Sequence, residues 1–150
     1  MHDVKTRPAK LQDIDMLAEM FLAAMREAIT SARGYWDLAR EHAQFRQQLE
    51  IDGARVLSLE NVDVGFVVTR RVAVGTVKIH TLCVAQSAQG RGIGAWVMRD
   101  LMRDAEASAA TLELSVLRAN PRARTFYERL GFVEVGQSLH HTRMQWPQNA

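Results

Sequence analysis

Three glycines at alternate positions, Gly90, Gly92 and Gly94, constrain the fold of this chain more than any other sequence feature. They close the segment 81–95, TLCVAQSAQGRGIGA, which reads as an apolar strand end, a polar loop and a helix start. Because glycine has no side chain, the N–H groups of such a loop and of the next helical turn can point at one anion. Unpartnered donors and the helix dipole favour that anion, and Arg91 adds a charge. The segment therefore predicts a phosphate-binding loop.

Two other kinds of glycine-rich loop have to be weighed. A Walker-type loop ends in Gly-Lys-Ser/Thr, whereas this one ends in Gly-Ile-Gly-Ala without a lysine, which excludes that class. The spacing of Gly90, Gly92 and Ala95 satisfies a dinucleotide fingerprint, and Glu113 falls where a ribose-binding carboxylate is expected. Against it, residues 85–89 separate the first glycine from the strand, and Glu113 lies inside a strand pattern. A dinucleotide binder stays open as an alternative.

Length, charge and cysteine content narrow the class of protein. A chain of 150 residues predicts one domain, 1–150, that can bury a core without disulfides. The net charge of +2 is dispersed along the sequence, which argues against a nucleic-acid partner. No apolar run approaches the roughly 18–20 residues of a membrane helix, so no membrane partner is expected. With one cysteine and no apolar core of a signal peptide at its start, the chain is predicted to be cytoplasmic.

Hydrophobic periodicity and turn residues divide the chain into alternating elements. Before the loop, the pattern predicts strand 4–9, a helix capped by Asp13, a second helix from Leu38 to Leu49, and strands 55–60, 63–70 and 74–84. The first two of these three strands would be joined by a turn at Asn61-Val62. After the loop, it predicts a helix, strand 111–117, a helix opened by Asn120-Pro121 and closed by Gly131, and strands 132–135 and 142–146.

Two segments together resemble a known family. The pattern Gln89-x-x-Gly92-x-Gly94 after a hydrophobic strand resembles the pyrophosphate loop of the GCN5-related N-acetyltransferase (GNAT) family. Residues 114–132, LSVLRANPRARTFYERLGF, are similar to the family's other cofactor segment, in which Asn, a small residue and Phe-Tyr-Glu-x-x-Gly-Phe follow a strand. The opening Thr-Arg-Pro-Ala-x-x-x-Asp also resembles the family's first strand and helix cap.

The resemblance implies an α/β (α+β) fold, with a mixed central sheet of six to seven strands, a splayed middle pair and about four flanking helices. It implies acetyl-CoA as the acyl donor, with the pantetheine arm between the strand ending at Val84 and the strand ending near Leu117. A splayed strand leaves peptide groups unpaired, and the pantetheine amides can pair with them. By this carry-over, the cofactor-binding residues are Leu82, Cys83, Val84, Gln89, Gly90, Arg91, Gly92, Ile93, Gly94, Asn120 and Tyr127.

Tyr127 is the residue to which the resemblance gives a chemical role, because it places the hydroxyl beside the cofactor sulfur. A phenol with a pKa near ~10 is protonated at neutral pH and can act as general acid toward the departing thiolate. The alternative is a buried tyrosine whose hydroxyl is satisfied by the protein.

The resemblance does not assign a general base, because family members often carry an acidic residue on the strand before the loop and residues 77–81 contain none. His80 shares strand parity with Leu82 and could accept a proton, or it could be a structural histidine. Glu60 at a hairpin end is the other candidate for the base, although hairpin carboxylates are usually solvated. His140-His141 could line a substrate mouth, or could equally be an exposed strand start. Cys83 alternates away from His80 and reads as a buried apolar residue, so direct transfer without an acetyl-enzyme is expected. No cluster has metal-ligand spacing, and no metal is expected.

The predicted function is therefore acetyl transfer from acetyl-CoA to a primary amine on a small molecule or a peptide. The missing strand carboxylate leaves a second hypothesis, a non-catalytic module that senses acyl-CoA. Trp36-Asp37 lies where the family builds its acceptor pocket, although a helix cap beside a packed indole explains the pair equally well. The final strands could also pair between subunits in a homodimer.

Overall fold

The computed structural model describes residues 4–147, which form one sheet of seven strands and four α-helices. Along the chain these are β1 Val4–Pro8, α1 Ile14–Arg33, α2 Leu38–Gln48, β2 Ala54–Leu59, β3 Val62–Ala73, β4 Thr76–Val84, α3 Ile93–Ala107, β5 Thr111–Leu117, α4 Pro121–Arg129, β6 Val133–Gln137 and β7 His141–Trp146. Short 3₁₀ turns lie at Leu11–Asp13, Ile51–Gly53 and Gln86–Ala88. None of the helices within this part of the chain has the length and apolar character needed to cross a membrane.

The sheet runs in the order β1-β2-β3-β4-β5-β7-β6. The β4–β5 pair is parallel, and the pairs of β1 with β2, β2 with β3, and β7 with β5 and β6 are antiparallel. In the parallel pair, the register joins Thr76 to Thr111 and ends with Ile79 opposite Leu114, and β4 continues to Val84. This is the pair for which the resemblance predicts splaying. The prediction of a mixed α/β sheet of six to seven strands with about four helices is confirmed.

Contacts divide the chain into two compact units. The N-terminal unit contains the chain up to Val68 together with Thr81–Gly94, and the C-terminal unit contains Thr69–His80 and the chain from Ala95 onward. A single domain over 1–150 stays a prediction.

The core of the N-terminal unit forms where the apolar stripe of α1 packs on the inner faces of three strands. Its buried members are Leu17, Ala54, Val56, Phe66, Val68 and Cys83. Gly34 ends α1 in the left-handed conformation, φ 81°, and its N–H donates to Thr30 O at 2.7 Å. Glycine suits this C-terminal position because it lacks the Cβ that disfavours a positive φ.

Asp13 precedes α1 as predicted, but its carboxylate does not cap that helix. It accepts hydrogen bonds from Lys10 N at 2.8 Å and from both terminal nitrogens of Arg7, at 2.9 and 3.1 Å. The Arg7 hydrogen bonds, with that of Lys10, lower the pKa of Asp13 below its ordinary value of 3.8. The carboxylate thus closes the preceding 3₁₀ turn and holds it to β1.

The β2–β3 turn lies one residue earlier than predicted. Glu60 and Asn61 occupy it with φ values of 53° and 65°, and Val62 already begins β3. Two positive φ values are typical of a type I′ hairpin turn, which a β-branched valine does not readily adopt.

In the C-terminal unit, β5 lies between β4 and β7, and α4 follows it. The Asn120 side chain caps α4 and Pro121 occupies its first turn, as the sequence predicts. Gly131 then turns the chain with φ 103°, and a Cβ there would lie 3.3 Å from Trp146 Cδ1. Phe132, Met144, Leu112 and Leu114 are buried in the same unit.

Candidate active site

The loop after β4 is held in place by hydrogen bonds on both sides. Ala85 N–H donates to Val64 O at 2.7 Å, which extends the pairing of β3 with β4 by one residue. The Gln89 side chain reaches back, and its Nε2 donates to Val84 O at 3.1 Å. Ala88 is buried at 3% exposure. These contacts fix the position from which the glycine segment begins.

The glycines adopt the conformations that a close backbone approach requires. Gly90 and Gly92 have φ values of 80° and 77°, in the left-handed region that favours glycine. A Cβ on Gly90 would meet no atom within 4 Å, so this side of the loop is open. Within residues 4–147, the N–H groups of 90–92 have no backbone partner, and the first N–H groups of α3 follow them. The segment Gln89, Gly90, Arg91, Gly92, Ile93 and Gly94 therefore fits a diphosphate.

At the end of β4, Leu82 and Val84 are partly buried and Cys83 is buried. The thiol of Cys83 lies in the core of the N-terminal unit, and burial raises its pKa to about 12. Because the thiolate is the nucleophilic form, this thiol is inert near neutral pH. Cys83 can offer a ligand its peptide group but not its side chain.

Asn120 has two distinct hydrogen-bonding atoms, and one of them is occupied. Its Oδ1 accepts the N–H of Ala123 at 3.2 Å. Its Nδ2 has no partner within the described chain. The amide is therefore oriented by the helix cap and presents a donor.

Tyr127 packs edge-on between two phenylalanines, with ring centroids 5.0 Å from Phe126 and 5.7 Å from Phe132. Burial raises the pKa of Tyr127 to about 12. Among residues 4–147 the hydroxyl has no hydrogen-bond partner. A phenol that is held by its ring, protonated and unpartnered is available to donate to a ligand.

The two candidate bases, His80 and Glu60, and the histidine pair that could line a substrate mouth are all exposed. His80 lies on β4 beside the buried Ile79, His140 directly precedes β7, and His141 is the first residue of β7. Glu60 occupies the exposed hairpin turn.

Trp36 and Asp37 have structural partners. Arg26 lies over the Trp36 ring at 5.2 Å from its centroid, and Asp37 caps α2 by accepting Arg40 N at 3.2 Å. This matches a helix cap beside a packed indole.

The predicted cofactor-binding and catalytic residues fall into two sets. Leu82, Cys83, Val84 and residues 89–94 lie in the N-terminal unit, whereas His80, Asn120 and Tyr127 lie in the C-terminal unit. Glu113, the carboxylate of the dinucleotide alternative, lies within β5 opposite Gln145 of β7.

Two features were not identified from the sequence. A groove of about 570 Å³ between α3 and α4 is lined by Arg99, Arg122 and Arg129. Glu41 on α2 is buried at 5% exposure, and its Oε2 lies 3.5 Å from Arg33 Nη1. The glutamate falls among exposed polar residues, so nothing in the sequence pattern distinguished it. For the groove, the one available signal was the helical spacing of Arg122 and Arg129, which places these two charges on one face of α4.

Comparison with known proteins identifies the fold and the family. A family model described as an acetyltransferase (GNAT) domain matches residues 23–146. The 5-NmdU N-acetyltransferase of Pseudomonas phage PaMx11 is 39% identical over 61 residues, which is 41% of this chain and 42% of that protein. The aligned part thus spans less than half of that relative.

Solved structures show the same fold at low identity. PH1933 of Pyrococcus horikoshii OT3 has a TM-score of 0.77 and 23% identity, covering 99% of this chain and 100% of its own. The PaiA N-acetyltransferase of Thermoplasma acidophilum, solved in complex with coenzyme A, has a TM-score of 0.74 and 13% identity, covering 95% and 97%.

Proposed function

The chain belongs to the GNAT acetyltransferase family, and from that premise we propose that it transfers an acetyl group from acetyl-CoA to a primary amine. The observation that carries the proposal is the glycine segment 90–94, where unpartnered N–H groups meet the start of α3. Such a site favours a diphosphate, and acetyl-CoA contains one. One family model spans residues of both compact units, which supports a single acetyltransferase domain over 1–150.

The donor would be held by groups of three kinds. Residues 89–94 would bind the diphosphate, the peptide groups of Leu82, Cys83 and Val84 would pair with the pantetheine amides, and Asn120 Nδ2 would donate to a pantetheine carbonyl. A backbone N–H near Leu82–Val84 would stabilise the charge that develops on the thioester oxygen. Acetyl-CoA supplies the activated acyl group, and these residues orient it.

Tyr127, the general acid of the resemblance, would assist the leaving thiolate by hydrogen bonding to its sulfur, and the released thiolate would take up a proton from solvent. The raised pKa of Tyr127 keeps the proton on the phenol across the physiological range. The same rise makes the phenol a weaker acid than a free thiol of pKa ~8.5, so the hydroxyl would donate a hydrogen bond as the carbon–sulfur bond breaks. The unpartnered hydroxyl supports this role over a purely structural one.

His80 would accept the amine proton, directly or through water, because the unprotonated nitrogen of a neutral imidazole is a proton acceptor. Its exposure on β4 is compatible with exchange of that proton with solvent. We propose direct transfer to the amine without an acetyl-enzyme, because the buried, protonated Cys83 is unsuited to act as a nucleophile.

The acceptor is proposed to be a small molecule or a peptide with a primary amine. The similarity to a 5-NmdU N-acetyltransferase adds 5-NmdU to the acceptors worth testing.

A cytoplasmic location is also proposed, since acetyl-CoA is used there and a lone thiol is typical of a reducing compartment. The edge position of β6 supports a homodimer through the final strands, which light scattering would test.

The decisive experiment is release of free thiol from acetyl-CoA with a panel of amines: polyamines, amino acids, aminoglycosides, N-terminal peptides and 5-NmdU. We expect amine-dependent release with at least one class, and mass spectrometry should find the acetyl group on the amine. Binding of acetyl-CoA with no release across the panel would favour the non-catalytic sensor. A thermal shift with NADH but not with CoA would instead favour the dinucleotide binder.

A further inference from the structure

One face of the sheet in the C-terminal unit is polar and open to solvent. On β5 and β7, buried residues alternate with exposed or partly exposed ones, and on β4 the buried Ile79 separates two polar residues. Because successive side chains of a strand point to opposite faces, the polar residues share one face. This polar sheet face carries Lys78 and His80 from β4, Glu113 and Ser115 from β5, and His141 and Arg143 from β7.

Three residues of the polar sheet face form a row across neighbouring strands. The parallel register ends with Ile79 opposite Leu114. The next positions on β4 and β5 are His80 and Ser115, and Ser115 lies opposite Arg143 of β7. Neighbouring strands are about 5 Å apart, so the two ends of the row are roughly 10 Å apart. The row runs from the proposed base to a guanidinium group.

The guanidinium of Arg143 is positioned by the next strand. Gly136 of β6 lies opposite Arg143, and a Cβ at Gly136 would be 2.7 Å from Nη2 and 3.1 Å from Nε of that arginine. The side chain therefore lies across β6, in space that a residue larger than glycine would fill. Arg143 is exposed, and within residues 4–147 its guanidinium has no hydrogen-bond or ion-pair partner. Its N–H donors and its charge are thus available to a ligand.

No carboxylate of the polar sheet face neutralises Arg143. On β4, β5 and β7 of the C-terminal unit, the one acidic residue of this face is Glu113, which lies opposite Lys78 on one side and Gln145 on the other. A guanidinium forms paired, charge-assisted hydrogen bonds with carboxylate or phosphate groups. Arg143 is therefore suited to bind an anionic group of a ligand.

Ser115 leaves the middle of the row open. Its side chain is small and exposed, and its hydroxyl has no hydrogen-bond partner in the described part of the chain. An extended ligand can cross β5 at this point and hydrogen-bond to the hydroxyl. Since an extended peptide covers about 3.3 Å per residue, three or four residues span the row.

We propose that the acceptor carries a carboxylate or phosphate about 10–15 Å from its reactive amine, and that Arg143 binds this anion while the amine lies at His80. The lower bound is the width of the row, and the upper bound includes the reach of Arg143 across β6. The inference rests on the proposed function, which supplies the reaction and the base. It makes Arg143 a specificity-determining residue and Gly136 the residue that positions it.

The first experiment uses tetrapeptide amides with a free N-terminal amine as acceptors. Ala-Ala-Ala-Asp-amide and Ala-Ala-Ala-Asn-amide differ only in the charge of the fourth side chain. We expect KM to be about five- to tenfold lower for the aspartate peptide at similar kcat, because a contact remote from the amine contributes equally to ground and transition states. The preference should shrink at high salt. Equal KM values, or no turnover of either peptide while other amines are acetylated, would overturn the proposal.

Further peptides test the distance and the kind of anion. Asp-Ala-Ala-Ala-amide places its carboxylate beside the amine and should show no advantage over Asn-Ala-Ala-Ala-amide. An advantage as large as that at the fourth position would contradict the proposed distance. Ala-Ala-Ala-phosphoserine-amide separates the two anions: a lower KM than that of the aspartate peptide indicates a phosphate-bearing acceptor, and a higher one indicates a carboxylate-bearing acceptor.

Three variants locate the selectivity. Arg143→Gln should bring the ratio of the KM values for the asparagine and aspartate peptides close to one. Gly136→Ala should reduce the ratio with the charge unchanged, because the new Cβ displaces the guanidinium. The matched control is Lys78→Gln, which removes one positive charge from the same face and should keep the wild-type ratio. Melting curves check the fold of each variant. Equal losses in the Lys78 and Arg143 variants would indicate a diffuse electrostatic field and overturn the assignment.

Calorimetry separates this inference from the proposed function. The wild-type protein should bind the aspartate peptide about fivefold more tightly than the asparagine peptide, and Arg143→Gln should remove the difference. This measurement needs no acetyl transfer, so it stands even if no amine is acetylated. Equal affinities of the wild-type protein for the two peptides would overturn the proposal.

Discussion

Asn120 holds the first turn of α4 through Ala123, whose N–H donates to Asn120 Oδ1 at 3.2 Å. This bond occupies the acceptor of the amide and leaves its Nδ2 as a donor. Asn120 thus has a structural and a proposed ligand-binding role on different atoms, and substitutions can separate them.

Asn120→Asp should raise KM for acetyl-CoA at least about tenfold while leaving the melting temperature nearly unchanged. Aspartate caps a helix as well as asparagine does, but an ionised carboxylate has no proton to donate. Asn120→Ser controls for the new charge, because it caps the helix, stays neutral and lacks the amide donor. Asn120→Ala should also lose about 1 kcal/mol of stability with the cap. Wild-type KM values in both the Asp and the Ser variants would contradict a donor role.

Tyr127→Phe should lower kcat by about a hundredfold or more with little effect on KM, because the lost hydroxyl acts in the chemical step. Phenylalanine keeps the ring contacts with Phe126 and Phe132, so thermal unfolding should change little. In the wild type, a phenol with a pKa of about 12 predicts no loss of kcat from its ionisation between pH 8 and 10. Turnover unchanged by the substitution would leave Tyr127 a structural role only.

The same raised pKa has a consequence for stability at alkaline pH. The folded protein keeps the Tyr127 proton where the unfolded chain, with a pKa near ~10, loses it. The stability that depends on the Tyr127 proton is fully present below pH ~10 and is lost as the pH rises through the folded pKa of about 12. Denaturant titrations of wild type and Tyr127→Phe should therefore show a steeper loss of stability in the wild type above pH 10. Parallel curves would contradict the raised pKa.

Gly65→Ala should be strongly destabilising, by about 1–3 kcal/mol. A Cβ on Gly65 would overlap the carbonyl oxygen of Cys83 and lie 3.1 Å from Val84 Cα, and these main-chain atoms can move only if the β3–β4 pairing changes. The matched control is Gly136→Ala in β6, where the neighbour is the flexible side chain of Arg143. Urea unfolding should show a clear loss for the first variant and a small one for the second. Equal losses would mean that the approach of Gly65 to Cys83 is not a constraint.

Asp13→Asn should reduce stability at pH 7 and remove part of its dependence on acid. The folded pKa of Asp13 lies below 3.8, so its stabilising contribution is present above that value and is lost as the pH falls through the folded pKa. At pH 7 the substitution should cost roughly 1–3 kcal/mol, because a buried charge-assisted bond is weakened. Asp100→Asn, in an exposed pair with Arg103, should change stability by less than about 0.5 kcal/mol. Identical acid unfolding of wild type and Asp13→Asn would contradict this prediction.

Elements with strong local patterns could be predicted closely from the sequence. Strand β5 begins and ends at the predicted residues, because its apolar and polar positions alternate between a turn and the Asn120-Pro121 cap. The position of the glycine loop was also predicted, because glycines are favoured where φ is positive, as it is at Gly90 and Gly92. Asp13 could cap α1 or bind the preceding turn, and the sequence did not distinguish these two arrangements. In the structure its carboxylate binds Arg7 and Lys10 N and does not cap α1.

Features made by tertiary packing could not be predicted in this way. Arg99 is 23 positions before Arg122 in the sequence, and only the packing of α3 beside α4 brings them to one groove. The register shift between Leu57 and Ser58 in the β2–β3 pair is likewise not signalled by the residue types. The buried Glu41 depends in the same way on its packing near Arg33.

The burial of Cys83 has a practical use. Since the native sulfur is enclosed at 5% exposure and the sequence contains no other cysteine, a cysteine introduced on the surface would be the preferred target for a maleimide dye. Fluorescent or spin reporters could then be attached at chosen positions in the otherwise natural polypeptide, with no need to prepare a thiol-free background first.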